Sequence, residues 1–306
     1  MTVVLIMGPT ASGKSALALA LAQRLGGEIV NADSLQVYRD LRILTARPTH
    51  EEEKQSPHRL YGHVDAGAQY STGHWLSEAL GAIADIQARG RWPILVGGAG
   101  LYFMALTKGL ADIPPGDPEL RAQLRARVDK DGARALHAEL AEGDPVTAAR
   151  LAPNDAPRIL RALEVLKTTG KTITALQAKT KPALAPRQWR AVALTPERGK
   201  LYASIETRFD KMLADGALDE VRAFAARNLD PASPAMRAHG APALMAHLRG
   251  ELSLAQAREI AKRDTRHYAK RQFTWIANQM PDWPRISAPD LETRVTQTLA
   301  ALGRSS

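Results

Sequence analysis

Unbroken apolar runs, each stopped by glycine or a polar turn, recur along the first third of the chain. Val3-Val4-Leu5-Ile6-Met7 contains no polar position, the pattern of a strand covered on both faces. From Lys14 to Leu25 the residues are Ala- and Leu-rich helix formers, closed by Gly26-Gly27. Glu28-Ile29-Val30-Asn31-Ala32 predicts a second strand. Residues 41–71, with Pro48, Pro57, Gly62 and Gly67, read as loop. Ser71 opens a helix carrying Trp75, Leu76, Ala79, Leu80, Ile83 and Ile86, stopped by Gly90. Pro93-Ile94-Leu95-Val96-Gly97-Gly98 predicts a third buried strand. Strand and helix alternating at this spacing predict an α/β fold, a parallel sheet with helices on both faces.

The texture changes at Pro114-Pro115-Gly116-Asp117-Pro118, after which short Ala/Arg/Leu helices run without strand signals to about Pro186. Arg190-Ala191-Val192-Ala193-Leu194-Thr195 then predicts a return to the sheet. The expected organisation is a core over 1–113, a helical insertion over 114–188, and a second core segment over 189–306 with long helices. One of these has Leu201, Ile205, Phe209 and Met212 on its apolar face; another opens at the capping box Ser253-x-x-Gln256. On the latter, Arg258, Lys262, Arg266 and Lys270 recur at i, i+4, which predicts a basic face with Tyr268, Phe273 and Trp275 beside it. The same aromatics also suit a core. The tail after Pro284 reads as a short strand and a weak helix.

Composition narrows the class. The chain has 306 residues, 45% hydrophobic and 24% charged, ordinary for a globular protein with one large or two moderate domains. No apolar run reaches membrane-spanning length, and Met1-Thr2 leading straight into a strand leaves no room for a signal peptide. The absence of cysteine excludes disulfide and thiolate chemistry and fits a cytoplasmic location. Lys plus Arg number 41 against 32 Asp plus Glu, a net +9, and nearly all the excess lies beyond residue 110. A polyanionic partner and a solubilising basic surface both account for that asymmetry.

Candidate chemistry begins at Gly8-Pro9-Thr10-Ala11-Ser12-Gly13-Lys14-Ser15, which fits G-x-x-x-x-G-K-[ST] at every fixed position and lies between a strand and a helix. That order aims backbone N–H groups and the positive end of a helix dipole at one point. A di- or triphosphate suits the point, with Lys14 on its oxygens and the Ser15 hydroxyl on a magnesium ion. Asp33, at the carboxyl end of the second strand, should face the same crevice, with Ser34 and Gln36 on the following loop. A helix N-cap is the other use for Asp33. No carboxylate ends the third strand, so Asp33 is the candidate acid or base.

These stretches together resemble the tRNA dimethylallyltransferase (tRNA isopentenyltransferase) family from Val3 to about Trp275. The landmarks are Gly8–Ser15, Ala32-Asp33-Ser34-Leu35-Gln36-Val37-Tyr38, Pro57-His58-Arg59-Leu60, and Val96-Gly97-Gly98 with Gly100-Leu101-Tyr102. Asn154-Asp155 followed by Arg158 and Arg161-Ala162-Leu163-Glu164-Val165 come next. Arg208-Phe209 with Met212-Leu213, and Tyr268-Ala269-Lys270-Arg271-Gln272 with Thr274-Trp275, complete the set. The resemblance implies a P-loop NTPase-like core with a helical insertion that clamps the anticodon stem-loop of tRNA. The reaction it implies is transfer of dimethylallyl from its diphosphate to the exocyclic amine of the adenosine 3′ of the anticodon, with magnesium as cofactor and a monomeric enzyme. The loop Gly8–Ser15 would hold the diphosphate, Asp33 would take the amine proton, and Arg208 would stabilise the diphosphate from the opposite side. Contacts to tRNA would come from Asp33, Ser34, Leu35 and Gln36; from Arg121; from Pro157, Arg158, Ile159, Leu160 and Arg161; and from Arg237, Lys270 and Arg271.

This chain departs from the family pattern at Gly98-Ala99-Gly100, where the family has Gly-Gly-Thr-Gly, and at Gly240-Ala241-Pro242, where it has Gly-Tyr-Arg. It departs again at Leu44-Thr45-Ala46-Arg47-Pro48, in place of Gly-Thr-Ala-Lys-Pro. These changes bear on tRNA affinity and substrate range rather than on the reaction. A small-molecule kinase shares the loop, sheet and acid but has no use for the basic second half or the insertion. A free-adenine-nucleotide prenyltransferase is a nearer alternative, and a non-enzymatic nucleic-acid-binding module would leave Lys14, Ser15 and Asp33 without a role.

Overall fold

The computed structural model describes residues 1–114 and 116–303, so Pro115, inside the expected start of the insertion, lies outside the described residues. The first segment runs β1 (Val3–Met7), α1 (Lys14–Leu25), β2 (Gly27–Asn31), α2 (His50–Gln55), β3 (His58–Arg59), α3 (Thr72–Ala88), β4 (Trp92–Gly97) and α4 (Gly100–Thr107). Five helices follow: α5 (Pro118–Asp131), α6 (Ala133–Gly143), α7 (Pro145–Arg150), α8 (Ala156–Thr169) and α9 (Ile173–Gln177). The chain then gives β5 (Trp189–Leu194), α10 (Arg198–Ala214), α11 (Ala217–Ala225), α12 (Ala241–Leu248), α13 (Leu254–Gln279), β6 (Arg285–Ile286) and α14 (Leu291–Ala301).

It divides into two compact units, Met1–Ala105 with Leu184–Ser306, and Leu106–Ala183, so both junctions come somewhat before 113 and 188. In the first unit a single sheet has the order β3-β2-β4-β1-β5-β6 with every pairing parallel. β1 lies inside it, Leu5 opposite Leu95 of β4 and Ala191 of β5. All five of its residues are buried, which is why that segment tolerates no polar side chain. One face packs Leu17 and Leu21 of α1 and Val295 and Leu299 of α14 against Val4, Ile6, Ile29, Ile94 and Val192. A separate core joins α10–α13 to the segment after β2 through Tyr38, Leu41, Phe209, Phe224 and Leu244.

Register sets the site. Met7 opposes Gly97 and Asn31 opposes Val96, so Gly8, Ala32 and Gly98 end their strands on one edge, where ligands sit in open α/β sheets. The approach of β2 to β4 there is so close that a Cβ on Gly97 would lie 1.9 Å from the Ala32 carbonyl oxygen. Within the region expected to be loop the structure contains β3 and α2. β3 is two residues long, too short for alternation to register. α2 buries no residue, so it lacks an apolar period; it is started by a capping box in which Thr49 accepts from the Glu52 amide and Glu52 from the Thr49 amide.

The helical unit has its own core of Leu124, Leu136, Leu140, Ile159 and Leu163. Glu164 is buried there at 2% exposure, accepting from Arg121 at 2.9 and 3.0 Å and from Arg161 at 2.7 Å. Burial pushes its carboxyl up, but the two guanidinium groups outweigh burial and hold it below the ordinary value.

Candidate active site

The loop from Gly8 to Gly13 leaves β1 and folds back into α1. Gly13 carries φ +82° and Ala11 φ +63°, left-handed conformations that bring successive N–H groups to one side. The Gly8 N–H bonds the Gly97 carbonyl at 3.3 Å and the Ser12 N–H bonds Pro9 at 3.2 Å, while the first-turn N–H groups of α1 have no helical partner. Ser12 is buried and, among the described residues, its hydroxyl has no hydrogen-bond partner. The Lys14 ammonium, 3.3 Å from the Pro9 carbonyl, is pushed down to about 8 by burial, with Asp33 raising and Arg208 lowering its pKa. Burial also lowers the Arg208 pKa, opposed by Asp33. Arg208 projects from α10 and donates to the Thr10 hydroxyl.

Asp33 is fixed by its neighbours rather than by a helix. Buried Asn31 receives the Asp33 N–H at 2.8 Å and donates to the carbonyls of Asp33 and Leu60, while its own carbonyl accepts from the Trp75 indole. Asp33 Oδ1 accepts the Leu35 N–H at 3.0 Å, an Asx turn; the following residues form turns, so the N-cap expectation is corrected to this turn. Among the described residues the second carboxylate oxygen has no hydrogen-bond partner, and Asp33 lines two cavities. The larger, about 600 Å³, reaches from the loop Thr10–Ser15 to His58 and Tyr61. The smaller, about 50 Å³, has a mixed lining, with Leu35, Leu44, Ile205 and Phe209 beside Thr45, Thr265 and Arg208, and with His239 and Tyr268 as a ring pair 4.2 Å apart. Thr10, Asp33, Thr45, Arg208 and Met212 belong to both, so the carboxylate stands where the two cavities adjoin.

Two residues given no role from sequence hold the loop. Gln272, 3% exposed on α13, accepts the Thr10 N–H at 2.9 Å and donates to the Gly98 carbonyl at 3.0 Å. Arg294 of α14 donates to the Ser12 carbonyl at 2.9 Å. Gln272 was within reach of sequence analysis, inside a recognisable motif; Arg294 carries no local signal.

A family model described as IPP transferase matches residues 36–279, and one described as isopentenyl transferase matches 1–67. A tRNA dimethylallyltransferase of Nitrobacter hamburgensis is 56% identical over 96% of this chain and 93% of its own length. The chain belongs to the IPP transferase family. Among solved structures, a full-length tRNA isopentenylpyrophosphate transferase from Bacillus halodurans has a TM-score of 0.71 at 35% identity, covering 99% of this chain and 95% of that one. A eukaryotic dimethylallyltransferase described as acting on tRNA has a TM-score of 0.81 at 28% identity, over 99% and 80%. The core is thus the P-loop NTPase-like sheet of these transferases, and among the described residues no helix is long and apolar enough to cross a membrane.

The other candidate positions of this transferase are dispersed. Ser34 is exposed, Leu35 lines the smaller cavity, and Gln36 donates to the Thr45 and Ala46 carbonyls at 2.8 and 2.9 Å, fixing the wall that both cavities share. In the helical unit Pro157 and Arg158 are exposed, Leu160 is half-buried and Ile159 fully buried, leaving the Ile159 side chain to the core. Arg121 and Arg161 are engaged by Glu164. Arg237 is exposed at the end of the 3₁₀ turn Pro234–Arg237; Lys270 and Arg271 are exposed, Arg271 lying 5.5 Å over the Tyr268 ring. The basic face of α13 is corrected: Arg258 and Lys262 both pair with Asp210, and Arg266 with Glu206, so three of its four cations meet acids of α10. At the family departures, Arg47 turns its guanidinium to the Tyr38 and Arg39 carbonyls, Ala241 is fully buried, and Ala99 donates its N–H to the Ala32 carbonyl.

Proposed function

We infer that the enzyme transfers a dimethylallyl group from dimethylallyl diphosphate to the exocyclic amine of the adenosine 3′ of the anticodon in tRNA. The observation that carries the reading is Asp33 where the phosphate-loop cavity adjoins the smaller one, in a chain that matches tRNA dimethylallyltransferases over nearly its whole length. The amine nitrogen attacks the first carbon of the isoprenoid, the carbon–oxygen bond breaks, and its electron pair leaves with the diphosphate. The amine proton passes to Asp33. Charge developing on the leaving group is met by the N-terminal N–H groups of α1, by Lys14 and by Arg208. To reach Asp33 the base must leave its stack.

Magnesium fits the donor set as a substrate-borne ion. Among the described residues no group of three or more His, Cys, Asp or Glu could hold a metal. Ser15 is exposed at the first turn of α1, and the same cavity is lined by Asp33, Glu51 and Glu52. A magnesium ion would be held by Ser15 and the donor's phosphate oxygens, keeping several waters. It would neutralise charge on the departing diphosphate. Arg158, Arg237, Lys270 and Arg271 are exposed cations suited to tRNA phosphates, and a tRNA substrate suits a cytoplasmic enzyme.

Incubation with labelled dimethylallyl diphosphate, unmodified tRNA and magnesium tests the reading. Label in tRNA is the expected result. Label in adenosine monophosphate, or phosphoryl transfer from ATP with no prenyl transfer, would overturn it.

A further inference from the structure

The amide of Gln272 joins three things that are separate in the chain. It receives the Thr10 N–H at 2.9 Å and gives its own N–H to Gly98 at 3.0 Å, linking the loop after β1 to the end of β4. It sits on α13 next to exposed Arg271, and is itself buried. The space is filled without slack, since a Cβ on Gly98 would lie 2.0 Å from Gln272 Nε2. Thr10 is thereby fixed by its backbone to Gln272 and by its hydroxyl to Arg208.

We propose that Gln272 is a positioning residue that sets Thr10 before any ligand arrives, and through Thr10 fixes the Arg208 guanidinium against the leaving group. A loop amide already committed to Gln272 cannot be an anion donor. The amide therefore serves geometry, not affinity. A buried side chain that accepts and donates at once imposes a direction on both partners, which an apolar residue of equal size cannot do. Preorganised donors matter most where charge develops, so loss of the clamp acts on turnover more than on binding.

The rate part of this inference rests on the transferase reading, whereas the clamp can be tested without it. Deuterium exchange of the ligand-free enzyme is followed over the peptide containing Gly8–Ser15. In Gln272→Met the Thr10 amide should exchange about tenfold faster or more while the α13 backbone keeps its protection. In single turnover at saturating dimethylallyl diphosphate and tRNA, Gln272→Met should fall about tenfold, with both dissociation constants within about twofold of wild type. Combined with Thr10→Val, it should fall no more than about twofold below Thr10→Val alone, because the two act through one group. Unchanged Thr10 exchange, a retained rate, or effects that multiply in the double variant would overturn the clamp. If Gln272→Met unfolds, Thr10→Val alone keeps the residue-10 N–H on Gln272 but loses the hydroxyl that Arg208 holds, so it should keep the amide protection and lose about tenfold in single turnover; an unchanged rate there would equally overturn the clamp. Wild-type enzyme that transfers no prenyl group refutes the activity instead, and leaves the exchange result to stand or fall by itself.

Discussion

Replacing Asp33 by Asn is the sharpest perturbation, because the structure separates what Asn keeps from what it loses. An Asn oxygen can still accept the Leu35 N–H, and the bonds from Asn31 go to the backbone of residue 33, so the Asx turn should persist. What disappears is the proton acceptor and one negative charge beside Lys14 and Arg208. Loss of a general base costs about 10²- to 10⁴-fold in rate, equivalent to about 2.7 to 5.4 kcal/mol of transition-state stabilisation. Donor affinity should not fall at pH 6.5, since removing a carboxylate leaves the cradle more positive. The Lys14 pKa, already down at about 8 through burial, should drop further once Asp33 no longer raises it. The assay is therefore single-turnover transfer at pH 6.5, well below the Lys14 value of about 8, with donor and tRNA saturating. Asp33→Asn within about threefold of wild type would refute the proton-acceptor role and leave Asp33 a turn-forming residue.

For wild type, donor affinity should hold below pH 7 and weaken as pH rises through about 8, because the ligand needs the protonated form of Lys14 and burial has lowered its pKa; calorimetric titration with an unreactive donor analogue giving a flat profile to pH 9.5 would contradict this. Lys262→Ala should lower stability by about 1 to 3 kcal/mol in urea unfolding with no loss of tRNA affinity, since Lys262 is buried against Asp210; weakened tRNA binding at full stability would restore the nucleic-acid face. Glu164 has a folded pKa below its unfolded value of 4.5, so its contribution is present above that pH and lost as pH falls through the folded pKa. Glu164→Gln should flatten the acid limb of helical-unit unfolding between pH 3 and 5, and an unchanged limb would mean other carboxylates govern it.

The parts of the fold legible in the sequence are those whose signal is local. Val3–Met7 has no polar position because all five residues are buried, with β4 on one side and β5 on the other, and Ser71 and Ser253 announce their helices by capping chemistry. The elements missed, β3 and α2, are short or wholly exposed, so neither leaves a period. The basic stripe on α13 shows the limit of periodicity: spacing identifies which residues share a face, but not that Glu206 and Asp210 stand opposite it. Asp33 was legible because the end of a parallel strand has a known place relative to the loop after β1. Asn31, Gln272 and Arg294, which hold Asp33 and the loop in position, act through backbone groups and, for Gln272 and Arg294, across more than 260 residues of sequence.

The grip of Arg294 on Ser12 has a consequence in time. The two residues are 282 positions apart, and between them lie β5 and β6, half the sheet's flank around β1, together with the whole helical unit. At roughly 5–20 residues per second of synthesis, Arg294 follows Ser12 off the ribosome by about 15 to 60 s. The nascent chain therefore carries the glycine loop long before it holds the side chains that shape it. Anion-binding competence becomes a late event in biogenesis, tied to completion of the C-terminal helix, and a chain cut before α14 should be synthesised with its loop sequence intact and its cradle unset.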